Sequence, residues 1–182
     1  MSALLKADYL PHYSCEDYAR WEGDWELIEG LPFAMSPAPN IRHQSLSVAI
    51  TWTLAQQLKN CPDCQVLHNV DWKISEDTVV QPDNLIICPK ASGQYLTRAP
   101  QLIVEILSPS TAHKDRTLKF DLYEREGVRW YLIVNPTDNV AHIFERIEGK
   151  YRKITDATQE VFSFTITDIC QVELDFSELW VE

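Results

Sequence analysis

Two acids and a lysine between Gln81 and Lys119 have side chains that, brought together, hold a divalent cation and manage charge around it. Glu105 sits inside the apolar run Leu102-Ile103-Val104-Glu105-Ile106-Leu107, where an ionised carboxylate needs a strong compensating partner. Asp83 follows Pro82 and enters a second apolar run, Leu85-Ile86-Ile87. If the two runs are neighbouring strands, both acids can share one cation through oxygen ligands, with Lys119 neutralising developing negative charge. The alternative is structural: Glu105 salt-bridged to Lys119 or an arginine, and Asp83 closing a turn.

The elements that must position these groups can be read outward from them. Both runs have the length and composition of short buried strands. Ser110 or Thr111 caps a helix running to Glu126, with Leu118 and Leu122 on its buried side and Gly127 as its stop. Lys119 lies beside that side, either reaching towards the Glu105 strand or exposed and paired with Asp115. Gln65 to Ile74 alternates as one half-buried strand, and Glu76-Asp77 turns it into Val79-Val80, giving a hairpin that leads to Asp83. Ser36 to Asn40 is a breaker. After it Ile41, Ser45, Val48, Trp52, Ala55 and Leu58 form the apolar stripe of a long helix, to Lys59, laid across the sheet. His43, in the first turn, is off that stripe: taken alone it reads as a surface residue, or, if the helix start points into the site, as a proton carrier or metal-side group.

Trp25 to Ile28 and Leu31 to Met35 flank Glu29-Gly30 as a hairpin, with Pro32 marking an edge strand. Ser14 caps a brief helix in the segment before it. Val128 to Val134 is a further buried strand ending at Asn135-Pro136. Asn139 to Phe144 returns antiparallel to it, and Glu148-Gly149 makes another hairpin.

The chain has 182 residues, 45% of them hydrophobic, which suits a single domain spanning residues 1–182. Within it residues 1–24 form an N-terminal flap, 25–135 the core and 136–182 the C-terminal strands. No apolar stretch approaches a membrane span and no secretory signal is evident, so a cytoplasmic protein without membrane contact is expected. Five cysteines without an export signal read as free thiols. Cys61-Pro62-Asp63-Cys64 has the spacing of a zinc or redox pair, but no second pair at comparable spacing accompanies it, so it reads as a turn. A formal charge of −11, from 16 basic and 27 acidic residues, opposes general attraction to nucleic acid, though not a local basic patch.

Trp25-Glu26-Leu27-Ile28-Glu29-Gly30, Met35-Ser36-Pro37, His43, Pro82-Asp83, Val104 to Thr111, Asp115-Arg116, Lys119, Tyr123, Gly127-Val128 and Trp130-Tyr131, in that order, resemble the Uma-two family of restriction endonucleases. The resemblance implies an α/β fold of the restriction-endonuclease-like, PD-(D/E)xK type: a mixed central β-sheet flanked by helices. It also implies DNA as partner and substrate, with Mg²⁺ or Mn²⁺ held by Asp83 and Glu105, Lys119 as the basic residue, and Glu26 and His43 as further catalytic residues. The usual motif has its lysine two residues after the glutamate, where this chain has Leu107. Lys119, 14 positions on (119 − 105), takes that role only if its ammonium reaches the site. Such nucleases often pair to cut two strands, so a homodimer is expected, with Trp21, Trp25, Trp130, Tyr131 and Trp180 as interface candidates. The alternative function is a catalytically inactive scaffold that binds nucleic acid or protein.

Overall fold

A computed structural model describes residues 10–35, 40–108 and 112–180. In chain order its elements are α1 (Cys15–Tyr18), β1 (Trp25–Ile28), β2 (Leu31–Ala34), α2 (Ile41–Gln57), β3 (Gln65–His68), β4 (Trp72–Ser75), β5 (Thr78–Val80), β6 (Asn84–Ile87), β7 (Leu102–Ile106), α3 (Ala112–Arg116), α4 (Leu118–Glu126), β8 (Trp130–Asn135), β9 (Val140–Ile147), β10 (Lys150–Ala157), β11 (Val161–Thr167) and β12 (Cys170–Asp175). A six-stranded sheet, in the order β10-β9-β8-β7-β6-β3, is antiparallel except between β7 and β8. That is the expected mixed central sheet.

Alternation along β7 divides the core. Leu102, Val104 and Ile106 face Leu46, Ile50 and Leu54 of α2 together with the β11–β12 hairpin. Ile103 faces Leu122 and Tyr123 of α4, and Glu105 takes the same side as Ile103. Asn84 pairs with Val104 in the β6–β7 ladder, so the next step of the register sets Asp83 opposite Glu105. The two strands therefore bring the acids together, as their positions in the runs suggested.

A second sheet, β2-β1-β5-β4, supplies Glu26 from β1. The β1–β2 turn has positive φ at both Glu29 and Gly30, and Pro32 lies in the edge strand as expected. Ser14 caps α1 with Asp17 in a reciprocal capping box. Asn135 ends β8 and bonds Asp138, in keeping with a strand-end role.

Four expectations need correction. The Gln65–Ile74 strand is two: β3 joins β6 in the central sheet, while β4 turns back on β5, the chain changing direction at Asn69 with φ 46°. The helix expected to Glu126 is interrupted at Thr117, whose φ −127° and ψ −83° are non-helical, and Leu118, expected on its buried side with Leu122, is 44% exposed; its caps Ser110 and Thr111 lie outside the described residues, as does most of the Ser36 to Asn40 breaker. The cysteines are not free thiols, since Cys61 is bridged to Cys170 and Cys64 to Cys88, leaving Cys15 as the free one.

The fourth concerns α2, which buries His43, Leu46, Ser47, Ile50 and Leu54 and turns Ile41, Val48 and Trp52 outward at 87%, 65% and 66% exposure. It is apolar on two sides, and the inner stripe is the one whose four-residue branched side chains fit the sheet. His43 shares that inner stripe and is buried, so the surface reading fails. Trp130 and Tyr131 are core residues and are not available to an interface. Among the described residues, no helix is long and apolar enough to cross a membrane.

Candidate active site

The site forms where β6 begins and β7 ends. Asp83 Oδ2 accepts a hydrogen bond from the Ile106 backbone N–H at 2.7 Å and lies 3.1 Å from His43 Nε2. These contacts fix the carboxylate at the start of β6, with the first turn of α2 aimed at it. Asn40 caps that turn, its side chain accepting from the His43 N–H at 2.9 Å. One helix start thereby positions the imidazole. Burial works against charging His43, but the hydrogen bond and charge of Asp83 outweigh it and hold the imidazole above its ordinary pKa.

Glu105 is almost fully buried, and its Oε1 accepts from Lys119 Nζ at 2.9 Å and from the Tyr123 hydroxyl at 2.7 Å. Lys119 and Tyr123 are one helical turn apart on α4, which is why both reach the same oxygen. Lys119 also lies 2.7 Å from Glu26 Oε1 and 3.7 Å from Asp115 Oδ1. The exposed alternative for Lys119 is therefore excluded, while the reach towards Glu105 holds. Glu26, wholly buried, further accepts from the Gln81 N–H at 2.9 Å and from Lys114. Of the five residues singled out by sequence, Glu26, Lys119 and Glu105 are joined by direct contacts and Asp83 and His43 form a second pair, close enough for the charge of Asp83 to act on Glu105.

Lys114, Asp115 and Tyr123 complete the cluster and were not singled out. For Tyr123 the signal was present, four residues after Lys119. For Lys114 there was none, because its partner Glu26 is 88 positions away.

Four carboxylates (Glu26, Asp83, Glu105, Asp115) share this space with two ammonium groups and one imidazole. Burial and the charges of Asp115, Asp83 and Glu26 push Glu105 up to about 8, against the pull of Lys119. Burial would raise Glu26 as well, but Lys119 and Lys114 dominate and bring it below the usual range. Burial would discharge Lys119, yet Glu105, Glu26 and Asp115 hold it well above the ordinary lysine value. Near neutral pH the cluster therefore keeps Lys119 and Glu26 charged, while burial and the neighbouring carboxylates favour the protonated form of Glu105, a preference that a bound cation would reverse.

The donor set suits a small hard divalent ion. The hydrogen bonds from Lys119 and Tyr123 land on Glu105 Oε1, and the contacts of Ile106 and His43 land on Asp83 Oδ2. No group of three or more His, Cys, Asp or Glu side chains stands at ligand spacing among those residues. Two carboxylates suffice for Mg²⁺, which keeps several waters and takes substrate phosphate oxygens.

A model of the Uma2 family, "Putative restriction endonuclease", matches residues 15–176. The chain is 33% identical over 138 residues to an uncharacterized protein of Synechocystis sp., covering 70% of each. Its fold is similar to the crystal structure of a "putative nuclease belonging to DUF820" from Anabaena variabilis, with a TM-score of 0.75 over 92% of this chain and 97% of that one. At 14% identity that likeness establishes the restriction-endonuclease-like α/β fold alone.

Proposed function

The chain belongs to the Uma2 family, whose members are nuclease-like, and from that premise we propose that it is a metal-dependent endonuclease hydrolysing phosphodiester bonds in DNA. The observation that carries this reading is the placement of Asp83 opposite Glu105 with Lys119 bonded to the latter. Asp83 and Glu105 would hold Mg²⁺ or Mn²⁺. Such an ion supplies positive charge beside the phosphate and makes water a better nucleophile near neutral pH.

The residues of the chain account for the rest. Lys119, pinned by Glu26 and Glu105, presents a fixed ammonium where negative charge builds up on the phosphate. Glu26 and Lys114 orient that lysine from a second sheet and from α3. His43 holds Asp83 Oδ2 and so fixes that carboxylate, and its raised pKa lets it carry a proton at that edge. Exposed Arg42 and Arg116 adjoin His43 and Asp115 in sequence and give the rim local positive charge despite the net −11.

In this reading residues 1–182 act as one domain in the cytoplasm, as a homodimer. The second copy packs on the outward stripe of α2, Ile41, Val48 and Trp52. Residues 44–57 of that helix carry no charge, so two acidic chains meet there without repulsion.

A second reading has one observation in its favour. The Lys119 ammonium already has three carboxylates within 2.7–3.7 Å, as a purely structural lysine would. A scaffold that binds without cutting would look the same there. Titration with Mn²⁺ or Mg²⁺ separates the two, because an ion that binds only the native state raises the melting temperature. Wild type should rise and Asp83→Asn should not; an unmoved wild type favours the scaffold.

A further inference from the structure

The pair Cys61 and Cys64 has zinc spacing, and the fold supplies the second pair that the linear sequence lacks. Cys88 follows β6 and lies 24 positions from Cys64; Cys170 opens β12 and lies 109 positions from Cys61. The Cα atoms are 5.7 Å apart for Cys61 and Cys170 and 4.4 Å apart for Cys64 and Cys88. The Cys64 N–H donates to the Cys61 carbonyl at 2.9 Å, so a tight turn joins the two pairs. All four cysteines line a single cavity of about 470 Å³, whose lining includes none of the candidate active-site residues. Its remaining charged lining is Asp63 and Asp168, with no lysine or arginine.

We propose that Cys61, Cys64, Cys88 and Cys170 form a tetrathiolate zinc site in the reduced chain, the ion and the two bridges being alternative closures of the same place. Each bridge takes two electrons and two protons from a cellular dithiol, which is itself oxidised to a disulfide. The four resulting thiols give up four protons as Zn²⁺ binds as the tetrathiolate. Zn–S bonds of about 2.3 Å set tetrahedral sulfurs about 3.8 Å apart, a spacing that side-chain rotation reaches within each pair, and the turn from Cys61 to Cys64 joins the pairs. The lining carboxylates favour the cation.

Such a site matches the reducing interior in which bridges do not persist. It also has a structural task. The β11–β12 hairpin makes no ladder to either larger sheet and is held by packing of Phe164, Ile166, Val172 and Leu174. Cys170 ties it to the end of α2.

The test uses full-length protein reduced with a phosphine under nitrogen, given Zn²⁺ and desalted. The expected result is one zinc retained per chain, a higher melting temperature than the metal-free reduced chain, and none retained by the bridged form. Co²⁺ in place of Zn²⁺ should give the intense visible absorption of tetrahedral thiolate cobalt. Cys88→Ser and Cys170→Ser should each bind at least about tenfold more weakly, the scale on which ligand-shell changes act. Cys15→Ser and Asp83→Asn should bind as wild type. Zinc lost on desalting, weak oxygen-type cobalt bands, or wild-type binding by both serine variants overturns the proposal. Should the serine variants fail to fold, the wild-type cobalt spectrum alone decides.

Discussion

Replacing Lys119 by methionine keeps the volume and removes the charge on which the cluster depends. The ammonium is 1% exposed and lies 2.7 Å from Glu26 and 2.9 Å from Glu105. Removing one partner of a buried ion pair costs about 3–5 kcal/mol, because the remaining charge stays buried without compensation. The structure says where in that range the cost falls. At about pH 7 folded Glu105 still holds its proton and Lys114 remains on Glu26, so Lys119→Met should cost about 3 kcal/mol. At about pH 9 the wild-type Glu105 is ionised against Lys119, whereas the variant must bury that charge with Tyr123 alone or keep its proton, so the cost should rise towards about 5 kcal/mol. Adding Glu105→Gln should recover about 1–3 kcal/mol of this at the higher pH, a coupling of the size found between residues in contact. Urea unfolding of the four proteins at both pH values measures it. A cost under about 1 kcal/mol at both would be that of an exposed pair and would refute the buried arrangement. Since domains hold only about 5–15 kcal/mol in total, lost cleavage in this variant is interpretable only where circular dichroism shows the fold intact.

Further outcomes follow from the same contacts. In chelator, the metal-free chain should lose stability as pH rises from about 4.5 to about 8. Glu105, raised in the fold, is favoured while protonated; His43, also raised, loses its contribution above the ordinary histidine range; and Glu26, lowered, has given its full contribution above about 4.5. Glu105→Gln should flatten most of that slope in thermal melts, and an unchanged slope contradicts the assignment. Trp52→Lys, at a residue 66% exposed, should leave the melting temperature nearly unchanged while light scattering shows a shift from dimer to monomer. A wild-type monomer at micromolar concentration removes the homodimer.

The two acids were legible because their sequence context is costly to explain otherwise: a glutamate amid five apolar residues, and an aspartate at a proline-led strand entry. Lys119 was legible only as a choice between reaching Glu105 and lying exposed beside Asp115, since the helix after β7 had to fold back before its distance to Glu105 existed. The α2 face was misjudged because its sequence is apolar on both sides, and the choice between Ile41-Val48-Trp52 and Leu46-Ile50-Leu54 belongs to the sheet it meets. His43 inherits that choice: on the inner stripe it reaches Asp83, and on the outer one it would be a surface residue. The cysteine pairing needed contacts 109 positions apart, which linear spacing does not contain. The break at Thr117 has a local bond, Thr117 Oγ1 to the His113 carbonyl at 2.6 Å, but no sequence signal that separates it from an ordinary helical threonine.

The central claim is that Asp83 and Glu105 hold a divalent ion for phosphodiester hydrolysis. The measurement that meets it most directly is cleavage of single- and double-stranded DNA by purified protein with Mg²⁺ or Mn²⁺, beside Glu105→Gln of verified fold. Cutting by the wild type that requires the ion and disappears in Glu105→Gln is the predicted result. Cutting by Glu105→Gln as fast as the wild type, or no cutting of any DNA by wild type with either ion, contradicts it.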